Sequence, residues 1–203
     1  MCQTMEHTDN QPLVLICYAV EGERVNWRLP GFRVQAVKTG IGKACAAFHL
    51  TRTIIQARPD FVLNVGTSGT FTYKVGDVLV CRRFLDRDFQ PLALPGVEWE
   101  MEFTDALPLH LPSVLNGQVA DRNFTLSTGD DFVTTASNVK ADAVDMEAFA
   151  EAMVCREMGI PFVAVKYITD VVGQNSVKEW EERLADARAG LTHYFENLVK
   201  IRK

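Results

Sequence analysis

The chain has 203 residues, of which 47% are hydrophobic and 23% charged, and a formal net charge of −5 at pH 7. This length and composition are typical of one globular domain with a sizeable core and leave little room for a second. The acidic balance offers no basic surface for nucleic acid, and no apolar run reaches membrane-spanning length, so neither a nucleic acid nor a membrane is an expected partner.

Hydrophobic patterns along the chain predict alternating strands and helices. Residues 1–11 are mostly polar and are predicted to be loose. After them, strands are predicted at residues 13–19, 32–37, 61–65, 78–81 and 119–127, with a helix at 41–56 between the second strand and the third. Residues 86–112, rich in Pro, Glu and aromatics without a clear period, predict a long irregular excursion. The alternation predicts a single α/β domain over residues 12–203, with a mixed, twisted central sheet flanked by helices.

The C-terminal third of the chain carries two carboxylates beside predicted regular elements. An amphipathic helix is predicted to open at residues 144–147, which include Glu147. A strand over 162–168 follows, apolar enough for both faces to be covered, and leads into Asp170. Because ligands of open α/β sheets bind outside the carboxyl ends of strands, Asp170 is a candidate proton donor, although an isolated Asp there is more often a cap. A terminal amphipathic helix is predicted over 177–201, with four residues facing inward, Trp180, Leu184, Leu191 and Leu198.

Five short motifs occur in order along residues 12–176. They are AVEGE at 19–23, TGIGK at 39–43, NVGTSG at 64–69, STGDDF at 127–132, and a C-terminal signature of ME at 146–147, GIPF at 159–162 and ITD at 168–170. Each motif alone is weak, but together they resemble the purine nucleoside phosphorylase and nucleosidase superfamily. They are most similar to its methylthioadenosine/S-adenosylhomocysteine nucleosidase branch. The resemblance implies a hydrolase that cleaves the N-glycosidic bond of a purine nucleoside.

The resemblance implies catalytic roles for three ionisable residues. Asp170 matches the general acid that delivers a proton to N7 of the purine, so that the base departs neutral. Glu23 matches the carboxylate that holds and deprotonates the attacking water, although Glu21 of the same motif is the other candidate. Lys166 stands where related nucleosidases carry an Arg that orients this carboxylate. A Lys in so apolar a strand needs a charged partner, and Glu23 or Glu147 is expected to supply it.

Four further residues match the family's substrate-binding site. Glu147 is implied to accept hydrogen bonds from the ribose hydroxyls, and Met146 to pack against the sugar. Phe132 is implied to stack on the purine, and Val133 to present backbone groups to the edge of the base. Without the resemblance, Met146 would be interpreted as helix core and Phe132 as a loop residue that fills a local hydrophobic gap.

The residue at the nucleophile position distinguishes hydrolysis from phosphorolysis. The phosphorylases of the superfamily place an Arg two residues before the Gly-Thr or Gly-Ser pair, because a phosphate nucleophile needs a fixed cation. This chain has Asn64 there, as the nucleosidases do, and Thr67 can offer a hydroxyl to water or ribose. Arg24 is near in sequence and could restore a phosphate site, so a phosphate-dependent phosphorylase stays an alternative.

The motifs do not define the 5′ substituent of the substrate. Ile41 and Val20 match residues that contact the 5′ part of the nucleoside or the partner subunit. Five side chains in or beside the excursion are expected to build an apolar 5′ pocket, Phe84, Phe89, Trp99, Met101 and Phe103. The excursion differs from the nucleosidase pattern, and Asp86 and Asp88 resemble an acidic pair of the futalosine branch. A futalosine hydrolase is therefore a second alternative, while the same two residues are compatible with plain surface carboxylates.

The expected partners are a small purine nucleoside and a second copy of the chain, since relatives form homodimers in which a neighbouring subunit closes part of the pocket. An inactive nucleoside-binding or assembly module is a third alternative. The four polar residues implied in the chemistry are all chemically competent, which favours an active enzyme.

Cysteine and histidine usage predicts neither a metal site nor a disulfide framework. The five cysteines are scattered, and the four histidines form no pair at helical ligand spacing. The first residues contain no charged-then-apolar leader, so a reducing cytoplasm is the expected location. No metal and no organic cofactor are expected.

Overall fold

The computed structural model describes residues 11–92, 94–135, 140–173 and 176–201. The predicted loose segment 1–11 lies, apart from its last residue, outside this range. The described strands are β1 (Leu13–Tyr18), β2 (Arg33–Lys38), β3 (Phe61–Thr70), β4 (Val78–Asp86), β5 (Glu100–Glu102), β6 (Ser113–Leu115), β7 (Gln118–Ala120), β8 (Phe124–Thr128), β9 (Ala143–Asp145) and β10 (Phe162–Val171). The helices are α1 (Lys43–Ala57), α2 (Ala148–Glu157) and α3 (Ser176–Ile201). The prediction of an α/β fold on a mixed sheet is confirmed.

The central strands pair into a closed ring. β3 is parallel to β10, β10 is antiparallel to β4, β4 is parallel to β8, β8 is parallel to β9, and β9 returns antiparallel to β3. Outside the ring, β1 and β2 extend the sheet from β3, and β5, β6 and β7 extend it from β4. In the pair of β3 and β10, Lys166 lies opposite Gly66 and Asp170 opposite Gly69. The ring therefore brings the NVGTSG and ITD motifs side by side.

Strand β3 is longer than the sequence predicts, because its glycine-rich end is paired on both edges. We expected a strand over 61–65 followed by a loop, but residues 66–70 continue the strand. β10 pairs with residues 62–70 along one edge, and β9 pairs with Gly69 and Thr70 along the other. Glycine has a low intrinsic preference for strands, so this pairing overrides a local signal for a turn.

Three other predicted boundaries are corrected. The strand predicted over 119–127 is two strands, β7 and β8, separated at residues 121–123. The segment 144–147 does not open a helix, because residues 143–145 form β9 and α2 begins at Ala148. The segment 86–112, predicted to be irregular, begins with Asp86, which is the last residue of β4. The same segment also contains β5 and a 3₁₀ turn at Gln90–Leu92. In each case strand pairing decided the boundary: β7 pairs with the adjacent β6, whereas β4, β8 and β9 pair with strands far along the chain.

The core consists of two apolar layers on either side of the sheet. All six residues of β1 are buried, and the inner face of α2 packs into one layer while Leu191 and Leu198 of α3 pack into the other. Trp180 and Leu184, also predicted to face inward, are half-buried. No helix within the described residues combines the length and the hydrophobicity that crossing a membrane requires.

Candidate functional site

A pocket lies where β3, β9 and β10 meet the loop after β8. It contains about 650 Å³ of empty space, including its open mouth. Of the ten residues predicted to be catalytic or substrate-binding, nine line it, namely Val20, Glu23, Ile41, Thr67, Phe132, Val133, Met146, Glu147 and Asp170. The tenth, Lys166, does not line the pocket and is buried next to it. The motifs, spread over about 150 residues of chain, are thus brought together at one place.

Glu23 is held at the floor of the pocket by four hydrogen bonds. It ends a 3₁₀ turn at Glu21–Glu23, where its Oε2 accepts the backbone N–H groups of Ala19 and Val20 at 3.0 and 3.2 Å. Its Oε1 accepts the N–H and the hydroxyl of Thr67 at 2.8 and 2.7 Å. Glu21, by contrast, is exposed and pairs with Arg24. Of the two candidates in the motif, the structure therefore places Glu23 in the pocket.

Asp170 is buried beside a β-bulge of β10. The register with β3 shifts between Ile168 and Asp170, so Thr169 is the extra residue, and its hydroxyl donates to Asp170 Oδ1 at 2.9 Å. Bulges of this kind re-aim a side chain next to an active site. The predicted general acid thus occupies a desolvated position at the pocket wall.

Two glycines of β3 make room for these carboxylates. A Cβ built on Gly66 would lie 2.9 Å from Glu23 Oε1, and a Cβ built on Gly69 would lie 2.8 Å from Asp170 Oδ2. Any larger residue would therefore displace one of the two acids. The Gly-Thr-Ser-Gly segment serves here as a flat strand that both carboxylates approach closely, rather than as the anticipated loop.

Glu147 is buried at the residue before α2. Its Oε1 accepts the backbone N–H of Gly42 at 3.0 Å, which links the ribose-binding candidate to the TGIGK motif. Burial and the neighbouring Asp145 together raise the pKa of Glu147 to about 8, against the opposing effect of Lys166. At neutral pH this carboxyl is accordingly able to carry a proton, so it can donate as well as accept toward a vicinal diol.

The buried Lys166 pairs with Asp145, which corrects the expectation that Glu23 or Glu147 would be its partner. Lys166 Nζ lies 3.0 Å from Asp145 Oδ2, and both side chains are buried. Burial by itself would lower the pKa of Lys166, but the carboxylates of Asp145, Glu147 and Glu23 outweigh it and raise the pKa above its usual value. Lys166 is therefore a fixed cation beneath several pocket acids, without a direct contact to Glu23.

Asp145 itself was missed by the sequence reading. Besides Lys166, it accepts the hydroxyl of Thr128 at 2.5 Å and the N–H of Ala148, the first residue of α2, at 2.9 Å. The only signal in the sequence was that a Lys in an apolar strand must have an acidic partner. Which acid it meets depends on the closure of the ring, because β9 and β10 lie on opposite edges of β3.

Two aromatic rings form one wall of the pocket. The ring centroids of Phe132 and Trp180 are 6.4 Å apart at an interplanar angle of 62°. The indole N–H of Trp180 donates to the Thr67 hydroxyl at 2.9 Å, and that hydroxyl in turn donates to Glu23. Trp180 was predicted only as an inward-facing helix residue, so its place in the pocket wall was missed. Its position in the first turns of α3 carried no chemical signal.

The two residues expected to discriminate the nucleophile lie outside the pocket lining. Asn64 is buried behind the pocket and its Nδ2 donates to Glu151 Oε2 at 2.7 Å. Arg24 forms an exposed ion pair with Glu21 and does not line the pocket. A third residue, Arg87, lines the pocket although the sequence did not suggest it. All its N–H groups bind protein acceptors, as described below.

The expected aromatic 5′ pocket is not built by the predicted side chains. Phe84, Met101 and Phe103 belong to the core on one side of the sheet, and neither Phe89 nor Trp99 lines the described pocket. Asp86 is buried and binds the Lys43 ammonium at 3.0 Å, and Asp88 binds the same group at 2.7 Å. Both carboxylates therefore anchor the start of α1 through Lys43, Asp86 as a buried group and Asp88 as an exposed one.

The arrangement can support acid–base chemistry on a flat, partly apolar molecule. Buried carboxylates stand at the floor and wall, a third lies at the rim of α2, and aromatic rings offer a stacking face. Within the described ranges, no group of three or more His, Cys, Asp or Glu residues is arranged to hold a metal ion.

Comparison with known proteins places this arrangement in context. The family model described as the phosphorylase superfamily matches residues 17–113 and 119–199. A 5′-methylthioadenosine/S-adenosylhomocysteine nucleosidase of Bacillus velezensis is 32% identical over 191 residues, which cover 84% of this chain and 82% of the relative. Among solved structures, such a nucleosidase from Helicobacter pylori with butyl-thio-DADMe-Immucillin-A has a TM-score of 0.77, at 19% identity over 95% of this chain and 99% of its own. A futalosine hydrolase of Helicobacter pylori has a TM-score of 0.75, at 18% identity over 93% and 97%.

Proposed function

Because the chain belongs to the phosphorylase superfamily, we propose that it hydrolyses the N-glycosidic bond of a 5′-substituted purine nucleoside of the methylthioadenosine/S-adenosylhomocysteine type. The observation that carries the proposal is the pair of buried carboxylates, Glu23 and Asp170, each seated against a glycine of β3. The relatives that share about a third of their sequence with this chain bear that nucleosidase name.

In the proposed reaction, the C1′–N9 bond breaks while a C1′–O bond to water forms. Asp170 gives its proton to N7, so the bonding electrons leave with a neutral base rather than an anion. The sugar passes through an oxocarbenium-like state, as in other glycosidic cleavages, and Glu23 accepts the proton that the water loses. Glu147 holds the ribose hydroxyls and Phe132 stacks on the base. Lys166 contributes a positive charge beneath Glu23, Asp145 and Glu147 without touching the substrate.

The choice of water over phosphate is supported by the arginines near the pocket. A phosphate nucleophile needs a cation with free N–H donors. Arg24 is exposed and engaged with Glu21, and Arg87 uses its N–H groups on backbone carbonyls and Asp131. Asn64, buried on Glu151, offers no cation. Hydrolysis therefore needs no rearrangement, whereas phosphorolysis would require one of these bonds to open.

The apolar part of the pocket supports a thioether-type 5′ substituent. Val20, Ile41 and Trp180 line the pocket with hydrophobic surface. Ile41 remains 48% exposed, so this side is not fully closed by the chain itself. An uncharged, weakly polar substituent would lose little hydration there.

Product analysis tests the proposed reaction. Methylthioadenosine, S-adenosylhomocysteine, adenosine, inosine and futalosine should each be incubated with and without phosphate. We expect free adenine and a ribosyl sugar from methylthioadenosine or S-adenosylhomocysteine, at a rate that phosphate does not change. Ribose-1-phosphate formed only with phosphate would establish a phosphorylase instead. Cleavage of futalosine alone would identify the futalosine branch, and no base from any of them would favour the binding-module alternative.

Replacing the stacking ring should weaken substrate binding more than catalysis. In Phe132→Ala the Michaelis constant should rise by a factor corresponding to about 1–3 kcal/mol, the usual contribution of a base–aromatic stack. The turnover number should fall less, because stacking is similar in the ground state and the transition state. Steady-state kinetics would measure both parameters, and Phe132→Tyr, which keeps a ring, should recover most of the loss. An unchanged Michaelis constant in the Ala variant would remove Phe132 from the binding site.

A homodimer is proposed on the face of α1. Three exposed apolar side chains form an apolar row: Phe48 and Ile55 on α1 are 61% and 64% exposed, and Ile41, two residues before the helix begins, is 48% exposed. On α1, Phe48 and Ile55 face away from Leu50 and Ile54, which are buried in the core. Because Ile41 also lines the pocket, a second copy covering the row would cover the open side of the pocket as well.

Light scattering should give twice the mass of the chain at micromolar concentration. Phe48→Asp should shift the protein to a monomer and raise the Michaelis constant, since a desolvated carboxylate is unfavourable in an apolar interface. Val119→Asp is the matched control, because Val119 is 64% exposed on β7 and should tolerate the same change. A wild-type monomer with full activity would contradict the proposal.

The described cysteines support a reducing location. Cys17, Cys81 and Cys155 are buried free thiols, and Cys45 is an exposed one. Disulfides are rare in proteins of the cytoplasm, where thiols are kept reduced. We therefore propose a cytoplasmic enzyme.

A further inference from the structure

Arg87 occupies an unusual place for an arginine. It follows β4 directly and lines the pocket, yet its side chain is only 7% exposed. The proposed reaction gives it no chemical role, because it approaches neither predicted catalytic acid. Removing a guanidinium from water is unfavourable, so its N–H groups need hydrogen-bond acceptors in the surrounding protein.

Every N–H donor of Arg87 has a protein acceptor. A guanidinium has five N–H groups in a fixed planar fork. Nη1 donates to the carbonyls of Ser127 at 3.0 Å and Asp145 at 2.7 Å. Nη2 donates to the carbonyl of Gly129 at 3.1 Å and to that of Asp131. Nε donates to the carboxylate of Asp131 at 3.0 Å. Four of the five bonds therefore go to main-chain oxygens.

These acceptors belong to two segments that the proposed substrate would touch together. Gly129 and Asp131 lie in the loop that leads to Phe132, which lines the pocket and is the proposed stacking residue for the base. Asp145 ends β9, and its carbonyl directly precedes Met146 and Glu147 on the ribose side. One rigid group thus joins the base-binding loop to the ribose-binding segment.

The loop is packed tightly on the guanidinium. A Cβ built on Gly129 would lie 2.7 Å from both Cγ and Cζ of Arg87, and 2.6 Å from Asp88 Oδ1. Gly129 also donates its own N–H to the Asp145 carbonyl at 3.3 Å. The absence of a side chain at residue 129 is what lets the loop lie on the arginine.

We propose that Arg87 is a positioning residue that sets the separation between the base-stacking loop at 129–132 and the ribose-binding segment at 145–147. This inference rests on the proposed nucleosidase function, because that function defines what the two segments bind. The hydrogen bonds from Arg87 to main-chain carbonyls hold the two segments in place. The ion pair with Asp131 contributes little because Asp131 is 71% exposed. A Lys could keep the charge but has three donors and no planar fork, so it could not hold both segments.

Arg87→Lys is the first test. We expect the Michaelis constant to rise about tenfold or more and the turnover number to fall less, because both binding segments are misplaced while Glu23 and Asp170 remain. Arg83→Lys is the matched control, since Arg83 lies on β4, the strand that directly precedes Arg87, forms an exposed pair with Glu100 and should show wild-type kinetics. Asp131→Asn should have a smaller effect than Arg87→Lys. Equal effects of Asp131→Asn and Arg87→Lys would overturn the assignment to the carbonyl bonds.

Chemical rescue separates positioning from general support of the fold. In Arg87→Ala, guanidinium chloride at concentrations well below denaturation should restore the Michaelis constant toward the wild-type value. Ammonium chloride at the same concentration should not, since it supplies charge without the fork. No rescue by guanidinium, together with a wild-type Michaelis constant in Arg87→Lys, would overturn the proposal.

Hydrogen exchange gives a readout that does not depend on activity. In Arg87→Lys, amides in the segment 127–133 should exchange faster than in the wild type and in Arg83→Lys, with the rest of the sheet unchanged. If exchange is faster in the variant but the protein cleaves none of the nucleosides, the positioning role of Arg87 would stand and the nucleosidase function would be refuted. If the enzyme cleaves the nucleosides but exchange is unchanged in the variant, only the positioning role of Arg87 would be refuted.

Discussion

Asp170→Asn is expected to lower the turnover number by a factor on the order of 10² or more, the usual contribution of a general acid. The asparagine side chain has nearly the same shape and can occupy the same bulge against Gly69, but it cannot deliver a proton to N7. Substrate should still bind, because Phe132 and Glu147 are untouched. Steady-state kinetics on the preferred nucleoside would measure the loss, with thermal unfolding to confirm that the variant is folded.

The leaving group provides the control for this variant. In a p-nitrophenyl riboside the leaving group, p-nitrophenolate, departs without being protonated. Asp170→Asn should therefore cleave this riboside at close to the wild-type rate. Asp121→Asn, an exposed position in the turn between β7 and β8, should leave both rates unchanged. Near-normal turnover of the natural nucleoside by Asp170→Asn would exclude Asp170 as the acid. An equal loss on both substrates would indicate a structural role instead.

Lys166→Met is expected to reduce the free energy of unfolding by about 3–5 kcal/mol, because it leaves the buried Asp145 without its counter-charge. Methionine is apolar and similar in length, so the change removes the charge without opening a large cavity. Burial of Glu23 and Glu147 near the same ammonium adds to the loss. Urea unfolding monitored by tryptophan fluorescence would measure the difference.

Two further variants show whether the loss comes from the pair. Lys38→Met on β2 removes an exposed lysine and should change the free energy of unfolding by no more than about 0.5 kcal/mol. The double variant Lys166→Met with Asp145→Asn should be more stable than Lys166→Met alone, because the remaining partner is no longer a buried charge. If the double variant were the less stable, the pairing of Lys166 with Asp145 would not be the source of the effect.

Much of the pocket could be recognised from short motifs. The residues at 19–23, 64–69, 127–132, 146–147 and 168–170 are local patterns, and each contributes at least one residue to the lining of the same pocket. Glu23, Phe132 and Asp170 were found in this way, since their motifs already contain the turn or strand that presents them. The proposed roles of these side chains stay predictions until the variants are measured.

The errors share a physical origin in long-range pairing. The Gly-Thr-Ser-Gly segment looks like a turn because glycine is unfavourable in an isolated strand, and only β9 and β10 on its two edges make it part of β3. The orientation of α1 is a separate case for which no prediction was made: the apolar residues Phe48 and Ile55 have helical spacing, but this spacing alone does not say which side of the helix faces the core. Contacts with the sheet left both on the exposed side.

The α/β alternation, the family and nine of the residues that line the pocket could be read from the sequence, because these follow from local periodicity and from contiguous motifs, whereas Arg87, Asp145 and Trp180 could not. The tertiary structure alone decided which buried charges meet. Lys166 pairs with Asp145 across β3, and Arg87 joins two segments that are more than a dozen residues apart. Such contacts depend on strand register and on closure of the ring of strands. Once the ring has formed, these charged groups are out of water, and a buried charge without a partner is strongly unfavourable.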